Sequence, residues 1–191
     1  MDNSRQAGER FFSVRLWYDE GMSNRFVLAI TGPTGSGKST VAKKLAKQIS
    51  QCVNIDVDHV KHFIINGFIY DETPEGVKQW ELLGNNLGML AHSFLDADYN
   101  VIINGYLSDP AWRDLQKHVT LTHKVLLLPH IDTSIERDAG RDEDFKMGRT
   151  AIQEHYDYFS TDDFYGDFVK IDSTQHSIDD SVSEIAKLVK G

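Results

Sequence analysis

Eight consecutive residues have the types and spacing that bind a phosphate group. They match the pattern G-x-x-x-x-G-K-[ST] at every fixed position, as Gly32-Pro33-Thr34-Gly35-Ser36-Gly37-Lys38-Ser39. Glycines let successive backbone N–H groups turn inward around an anion, and a helix beginning near Lys38 would point the positive end of its dipole at the same anion. The Lys38 ammonium can reach the β- and γ-phosphates, and the Ser39 hydroxyl can bind Mg²⁺. We therefore predict a nucleotide site made by Gly32, Thr34, Gly35, Ser36, Gly37, Lys38, Ser39 and Thr40.

Two carboxylates, Asp56 and Asp58, come directly after a short apolar run. They occupy alternate positions at the end of the second predicted strand, so we expect both side chains to leave the strand on the same side. In open α/β sheets, ligands bind at the carboxyl ends of the strands. Phosphoryl transfer to an alcohol uses one carboxylate near the metal and another that accepts the hydroxyl proton. The pair therefore predicts a phosphotransfer site, and the alternative is an acidic pair on a solvated loop.

The phosphate-binding loop followed by Asp56-Val57-Asp58 resembles the small-molecule kinases of the P-loop class. Residues 55–61 are most similar to the zeta-toxin and chloramphenicol phosphotransferase-like branch, which is related to shikimate, gluconate and adenylate kinases. This resemblance implies ATP and Mg²⁺ as cofactors. It also implies that Asp58 deprotonates the acceptor hydroxyl, and that Asp56 and Ser39 lie near the metal.

A second resemblance concerns Arg137-Asp138-Ala139-Gly140-Arg141, which is similar to the Arg-x-x-Gly-Arg lid entrance of adenylate-kinase-like enzymes. It implies that Arg137 stacks on the nucleotide base and that Arg141 stabilises the transferring phosphate. A lid near residues 141–149 would then exclude water, with Lys146 and Arg149 as further phosphate ligands. The alternative is a set of surface arginines paired with Glu136, Asp138 and Asp142.

The third predicted strand ends in Asn104-Gly105 rather than in an acid. Motors and many hydrolases hold Mg²⁺ and align water with a carboxylate at this position, and a neutral amide cannot act as a base. The chain also lacks the Asn-Lys-x-Asp pattern that reads guanine. Both observations disfavour motors and GTPases, and the preference for ATP over GTP remains an expectation of the resemblance.

The resemblance assigns the acceptor pocket to two segments, residues 59–68 and 106–113. Their candidate contacts are His62, Asn66, Tyr106, Trp112 and Arg113, and each could instead be a packed or solvent-facing residue. His155 and Tyr156 follow the predicted lid, where either core packing or substrate contact would suit them.

The sequence predicts strands that alternate with helices, and these elements position the residues discussed above. The expected strands are 26–30, 52–55, 101–103, 124–128 and 168–171, and the expected helices are 38–50, 75–97, 133–140, 150–159 and 177–190. Such alternation predicts an α/β protein with a parallel sheet. The resemblance to P-loop kinases implies a three-layer P-loop NTPase fold, in which the five strands have the order 2-3-1-4-5. Residues 25–191 would form this domain, and residues 1–24 an N-terminal extension or a poorly ordered terminus with a true start at Met22.

Charge and apolar content disfavour two classes of partner, nucleic acids and membranes. The 191 residues carry a net charge of −9 and contain a single cysteine, Cys52. An acidic chain without a dense basic run disfavours nucleic acid, and the absence of a long apolar stretch disfavours a membrane. We expect a cytoplasmic protein, and a homodimer stays open.

Three functions remain open. The first is an ATP-dependent phosphotransferase acting on a hydroxyl of a small molecule. The second is a nucleotide-binding protein with slow hydrolysis, acting as a switch or partner-binding module. The third is a nucleoside or polynucleotide kinase, whose polynucleotide form the acidic surface disfavours.

Overall fold

The computed structural model describes residues 25–143, 146–161 and 163–190. The predicted extension at residues 1–24 lies outside the described residues, as do residues 144–145 in the middle of the predicted lid. The remaining predictions on fold and site fall within the described part of the chain.

Five parallel strands form the sheet of the described residues, in the order β2-β3-β1-β4-β5. They are β1 (Val27–Thr31), β2 (Cys52–Asp56), β3 (Asn100–Asn104), β4 (His123–Leu127) and β5 (Val169–Ile171). The predicted strand order and the α/β class are therefore confirmed. The central strands β1 and β3 are buried throughout, as expected for strands covered on both faces.

Seven α-helices occur in the described part of the chain. They are α1 (Lys38–Ala46), α2 (Val57–Lys61), α3 (Pro74–Asp96), α4 (Asp109–Leu115), α5 (Ile131–Ala139), α6 (Arg149–Thr161) and α7 (Ile178–Lys190). The sequence patterns did not predict α2 and α4, because helices of five and seven residues are too short to show a period. In α4, the first turn contains Pro110, a residue that suits that position.

Two apolar cores cover the two faces of the sheet, because alternate strand residues point to opposite sides. In β1, Val27 and Ala29 pack in one core with α3 and α4, whereas Leu28 and Ile30 pack in the other with α1 and α7. This arrangement gives three layers, and it makes the sheet a rigid platform for the residues that follow its strands.

Register brings the chemically important ends of the strands together. Asn104 is the partner of both Asp56 in β2 and Ile30 in β1. The P-loop begins immediately after β1, so it lies at the same sheet edge as Asp56 and the start of α2. Within the described residues, no helix combines the length and the apolar character needed to span a bilayer.

Candidate active site

The P-loop has a backbone shape that requires glycine. At Gly35, φ is +81° and an added Cβ would lie 2.4 Å from the Ser134 carbonyl oxygen in α5. At Gly32, an added Cβ would lie 2.2 Å from the Leu127 carbonyl oxygen. The loop is therefore wedged against the backbone of β4 and α5, in a conformation that side chains at these positions would break.

The same loop fits an anion. Gly37 precedes the first turn of α1 and provides no side-chain cap, so no side chain of this residue competes for the N–H groups there. Ser36 is 2% exposed, and its hydroxyl oxygen has no hydrogen-bond partner among the described residues. A buried polar atom usually has a partner, and the phosphate of a nucleotide would supply one here.

Lys38 lies in the loop with its Nζ 3.2 Å from the Pro33 carbonyl oxygen. Burial lowers the pKa of the Lys38 amine to about 8; the charges of Asp58 and Asp56 act in the opposite direction, and the charge of Arg141 acts in the same direction. These charge effects require Asp56, Asp58 and Arg141 each to lie near Lys38. The two predicted carboxylates and the cations predicted to bind the phosphates therefore belong to one site.

We expect the affinity for ATP to fall as the pH rises through about 8, because Lys38 then loses its proton. Phosphate binds the charged amine, so bound ATP raises this pKa, and above about pH 8 the affinity should fall by up to about tenfold per pH unit. The terminal phosphate of ATP, whose pKa is about 6, stays fully ionised in this range. Nucleotide titrations from about pH 7 to pH 10 measure the effect, and an affinity independent of pH contradicts it. In Lys38→Met, binding should be weak and its pH dependence flat.

The two carboxylates are arranged differently from the sequence-based expectation. The strand β2 ends at Asp56, and Asp58 lies in the first turn of α2, so the two side chains do not alternate along one strand. The reason is local: the Asp56 carboxylate accepts a hydrogen bond from the Asp58 N–H at 3.0 Å and caps the helix. Both side chains nevertheless remain at the edge of the sheet where the P-loop lies.

Asp58 has a partner that the sequence motifs did not reveal. Lys61 Nζ donates to Asp58 Oδ1 at 2.5 Å, and the Lys61 side chain is only 12% exposed. Although partial burial opposes it, the hydrogen bond and charge of Lys61, together with the charge of Lys38, hold the pKa of Asp58 below its usual value. The sequence signal for this ion pair is the i, i+3 spacing of Asp58 and Lys61, which brings side chains together only on a helix. The pair could therefore be predicted only if α2 was first recognised as a helix. Asp58 is thus an anion at neutral pH, able to orient a hydroxyl group.

Arg137 connects the P-loop to the loop after β5. Its Nη2 donates to the Ser173 carbonyl oxygen at 2.9 Å, and its Nη1 donates to the Ser36 carbonyl oxygen at 3.4 Å. Beside it lies a cavity of about 420 Å³, lined by residues of the P-loop, α1, α5 and the start of α7, including Thr40 and Arg141. A guanidinium held by backbone acceptors can stack on a flat base. The cavity has the position and lining for the nucleoside of a bound nucleotide.

The two other cations predicted near the phosphates are engaged elsewhere. Lys146 pairs with Glu143 at 2.6 Å, and Arg149 lies 4.0 Å from Asp132 with 73% of its side chain exposed. Arg141 instead lines the nucleoside cavity and contacts the buried Asp138. Of the cations in the predicted lid, Arg141 is therefore the one best placed for the phosphates.

Aromatic residues line the side of the site where the acceptor is predicted to bind. Tyr106 stacks on His155 with ring centroids 6.1 Å apart, and it meets Trp80 edge-on at 5.5 Å. His155 Nδ1 also lies 3.2 Å from the Thr34 hydroxyl oxygen of the P-loop. Burial and then the nearby Lys38 charge lower the pKa of His155, so the ring is neutral at neutral pH. His155 thus connects the P-loop to Tyr106, one of the residues predicted to contact the acceptor.

The remaining acceptor candidates differ in their surroundings. Trp112 is 2% exposed and packs in the core with Phe164 and Phe168, so the alternative of a packed residue is confirmed for this position. The short helix α4 turns that side chain toward the sheet. His62, Asn66 and Arg113 are exposed, and the structure brings none of them into a described contact with the P-loop.

The residues present fit a magnesium ion only in part. Among the described residues there is no group of three or more His, Cys, Asp or Glu side chains that could hold a metal. Mg²⁺ in phosphotransfer sites is commonly held by one or two protein oxygens together with substrate phosphates. Ser39 and Asp56 could serve in that way, since both lie at the P-loop edge of the sheet. The ion would then arrive with the nucleotide and would neutralise charge on its phosphates.

A smaller cavity of about 280 Å³ lies between the strands β4 and β5 and α7. Lys124 and Asp167 pair there at 2.5 Å, and His123 Nδ1 lies 2.9 Å from the Thr122 hydroxyl oxygen. Its polar side chains thus bind one another, so we assign no chemistry to it.

Comparison with known proteins agrees with this geometry. A family model described as Zeta toxin matches residues 18–124, which is more than half of the chain. Among solved structures, a sugar kinase from a Janibacter species aligns with 14% identity over 87% of this chain and 95% of that chain, with a TM-score of 0.65. The Deinococcus radiodurans tunicamycin resistance protein aligns with 19% identity over 86% and 95%, with a TM-score of 0.64.

Shikimate kinase from Acinetobacter baumannii, solved with shikimate, aligns with 18% identity over 87% of this chain and 93% of that chain, with a TM-score of 0.61. No curated protein matches the chain. At these identities the structural likeness shows the fold, and it confirms the predicted resemblance to P-loop kinases.

Proposed function

We propose that this chain, which belongs to the zeta toxin family, transfers the γ-phosphate of ATP to a hydroxyl group of a small molecule. One observation carries the proposal. Asp58 lies close enough to Lys38 for each to shift the pKa of the other, whereas the end of β3 carries the neutral Asn104. A carboxylate close to the P-loop lysine supports transfer to an acceptor hydroxyl, and the absence of an acid at the end of β3 argues against hydrolysis.

Each charged side chain has a distinct part in this proposal. Lys38 and Arg141 stabilise charge on the phosphate as it transfers, and Arg137 packs on the base. Mg²⁺, held on the protein side by Ser39 and Asp56, would neutralise charge on the phosphates. Asp58 orients the acceptor hydroxyl and takes its proton. Since Lys61 holds the pKa of Asp58 low, this carboxylate is a weak base, which suits a loose transition state in which the proton leaves late.

A second candidate function is a nucleotide-binding protein that hydrolyses ATP slowly and acts on a protein partner. The observation that favours it is the exposure of two large apolar side chains after α2, Phe63 at 76% and Ile65 at 92%. Scattered exposed apolar residues are common on monomeric proteins, so we place this function second.

The test is phosphoryl transfer from γ-labelled ATP, with Mg²⁺, to a pooled panel of hydroxylated compounds. The panel contains sugar acids, nucleosides, nucleotide sugars and hydroxylated antibiotics. We expect label in an organic product, and none with Lys38→Met, which lacks the phosphate-binding amine. Label only in inorganic phosphate, at a rate that a protein partner changes but no acceptor changes, contradicts the proposal and favours the second candidate.

A further inference from the structure

We infer that Asp138 is a positioning residue that holds Arg141, Met147 and Gly148 beside the P-loop, and thereby lets the site distinguish a nucleoside triphosphate from a diphosphate. This inference rests on the proposed function, since it concerns the same nucleotide. It assigns a role to a residue that was not among the predicted nucleotide-binding residues. Asp138 lies between Arg137 and Arg141, where the sequence suggested only a surface ion pair.

Asp138 is unusual because it is a buried carboxylate. The residue is 2% exposed, and its side chain is 4% exposed. Aspartate is almost never fully buried unless it is paired, because removing its charge from water is costly. The fold must therefore supply groups that stabilise the carboxylate, and those groups are themselves held in place.

The groups around Asp138 come from both sides of residues 144–145. The N–H groups of Met147 and Gly148 donate to Asp138 Oδ2 at 3.1 Å and 3.2 Å, and Met147 N also lies 3.4 Å from Oδ1. On the other side, Arg141 Nη1 lies 3.5 Å from Oδ1. Hydrogen bonds to a charged acceptor are stronger than neutral ones. One carboxylate thus fixes the start of the predicted lid against its end.

Both ends held by Asp138 reach the nucleotide site. Met147 Sδ accepts a hydrogen bond from the Thr34 hydroxyl of the P-loop at 3.1 Å. Arg141 lines the nucleoside cavity, and its charge lowers the pKa of Lys38. A shift of the Asp138 carboxylate would therefore move a guanidinium that lines this cavity and lies near Lys38. This is the physical reason to expect an effect on the γ-phosphate rather than on stability alone.

The experiment compares the affinities of two probes, ADP and a non-hydrolysable ATP analogue, each titrated with Mg²⁺. Wild-type protein should bind the triphosphate analogue more tightly. Asp138→Asn keeps an acceptor oxygen for Met147 and Gly148 but removes the negative charge that strengthens these bonds and pairs with Arg141. We expect this preference to fall roughly tenfold, the effect of one charged hydrogen bond. In Arg141→Ala, the preference for the triphosphate should fall by a similar factor. In the double variant, the preference should fall no further than in either single variant.

Glu136→Gln is the matched control, since it removes one negative charge from an exposed position of the same helix. It should keep the wild-type preference. The inference is overturned if Asp138→Asn also keeps it, or if the two losses multiply in the double variant, because the residues then act independently. A lower thermal stability with an unchanged preference would mean that Asp138 is structural only.

A second variant covers the case in which Asp138→Asn does not fold. Asp138→Glu keeps the charge but displaces the carboxylate by one methylene, so it should weaken the triphosphate preference, and an unchanged preference overturns the inference. The two claims fail separately. Wild-type protein that binds neither probe contradicts the proposed function, whereas wild-type discrimination that survives in the Asp138 variants contradicts the inference alone.

Discussion

Asp58→Asn should lower phosphoryl transfer to the acceptor by about 10² to 10⁴, the usual contribution of a positioned general base. The substitution keeps the size of the side chain and removes its negative charge. It leaves the hydroxyl without an acceptor for its proton, and it leaves the mostly buried Lys61 without its counter-ion. Affinity for ATP should change much less, because Asp58 does not belong to the P-loop. Single-turnover transfer from labelled ATP, together with nucleotide titration, separates the two effects.

A matched control is present in the same chain. Asp114 and Lys117 form another i, i+3 ion pair with the same 2.5 Å distance, on α4 and the residues that follow it. Asp114→Asn should leave transfer unchanged, since the pair takes no part in the site. Near-normal transfer in Asp58→Asn contradicts the proposed role. An equal loss of ATP affinity and of transfer would instead mean that Asp58 supports the P-loop.

Gly35→Ala should weaken ATP binding by on the order of 100-fold, since it combines a steric clash with backbone strain, which alone costs about 1–3 kcal/mol. The new Cβ would lie 2.4 Å from the Ser134 carbonyl oxygen and 2.9 Å from its Cα. Both atoms belong to the backbone of α5, which cannot move aside without moving Arg137. The P-loop must therefore shift, and its N–H groups then no longer converge on the phosphate. Nucleotide titration and thermal unfolding measure binding and stability separately.

Substitutions at two other glycines separate the effect of the steric clash from the effect of backbone strain. Gly37→Ala has a similar φ of +91° but no atom within 4 Å of its Cβ, so it should show the strain without the clash and a smaller loss. Gly166→Ala has neither feature and should bind ATP as the wild-type protein does. Unchanged affinity in Gly35→Ala contradicts the wedged loop, and equal losses at positions 35 and 37 would attribute the effect to strain alone.

Much of the fold is encoded in short stretches of sequence. Continuous apolar runs such as 26–30 and 101–103 indicate strands covered on both faces, and their alternation with helices predicts a parallel sheet. The order of the strands was implied by the resemblance to P-loop kinases, and the structure has that order. The P-loop is also local, because one strand, one loop and one helix start provide all of its residues. Its fixed spacing from Gly32 to Ser39 is therefore enough to predict a phosphate site.

Features that depend on packing between distant segments were not predictable in this way. The ion pair between Lys61 and Asp58 depends on α2, a helix too short to leave a period in the sequence. The sequence left two alternatives for Trp112, an acceptor contact or a packed residue, and α4 buries it in the core. In both cases the direction of a side chain depends on a short helix. The position of that helix depends on its packing against the sheet, which no sequence pattern records.

By itself, the sequence determined that a nucleotide phosphate site lies at the carboxyl edge of a parallel sheet, because local spacing and apolar pattern dictate both. Only the tertiary structure decided which side chains meet there. Arg137 contacts Ser36 across 101 positions of the chain, and His155 contacts Thr34 across 121. The burial of Asp138 is of the same kind. Such contacts arise when helices pack on a completed sheet, and no local pattern records where those helices will lie.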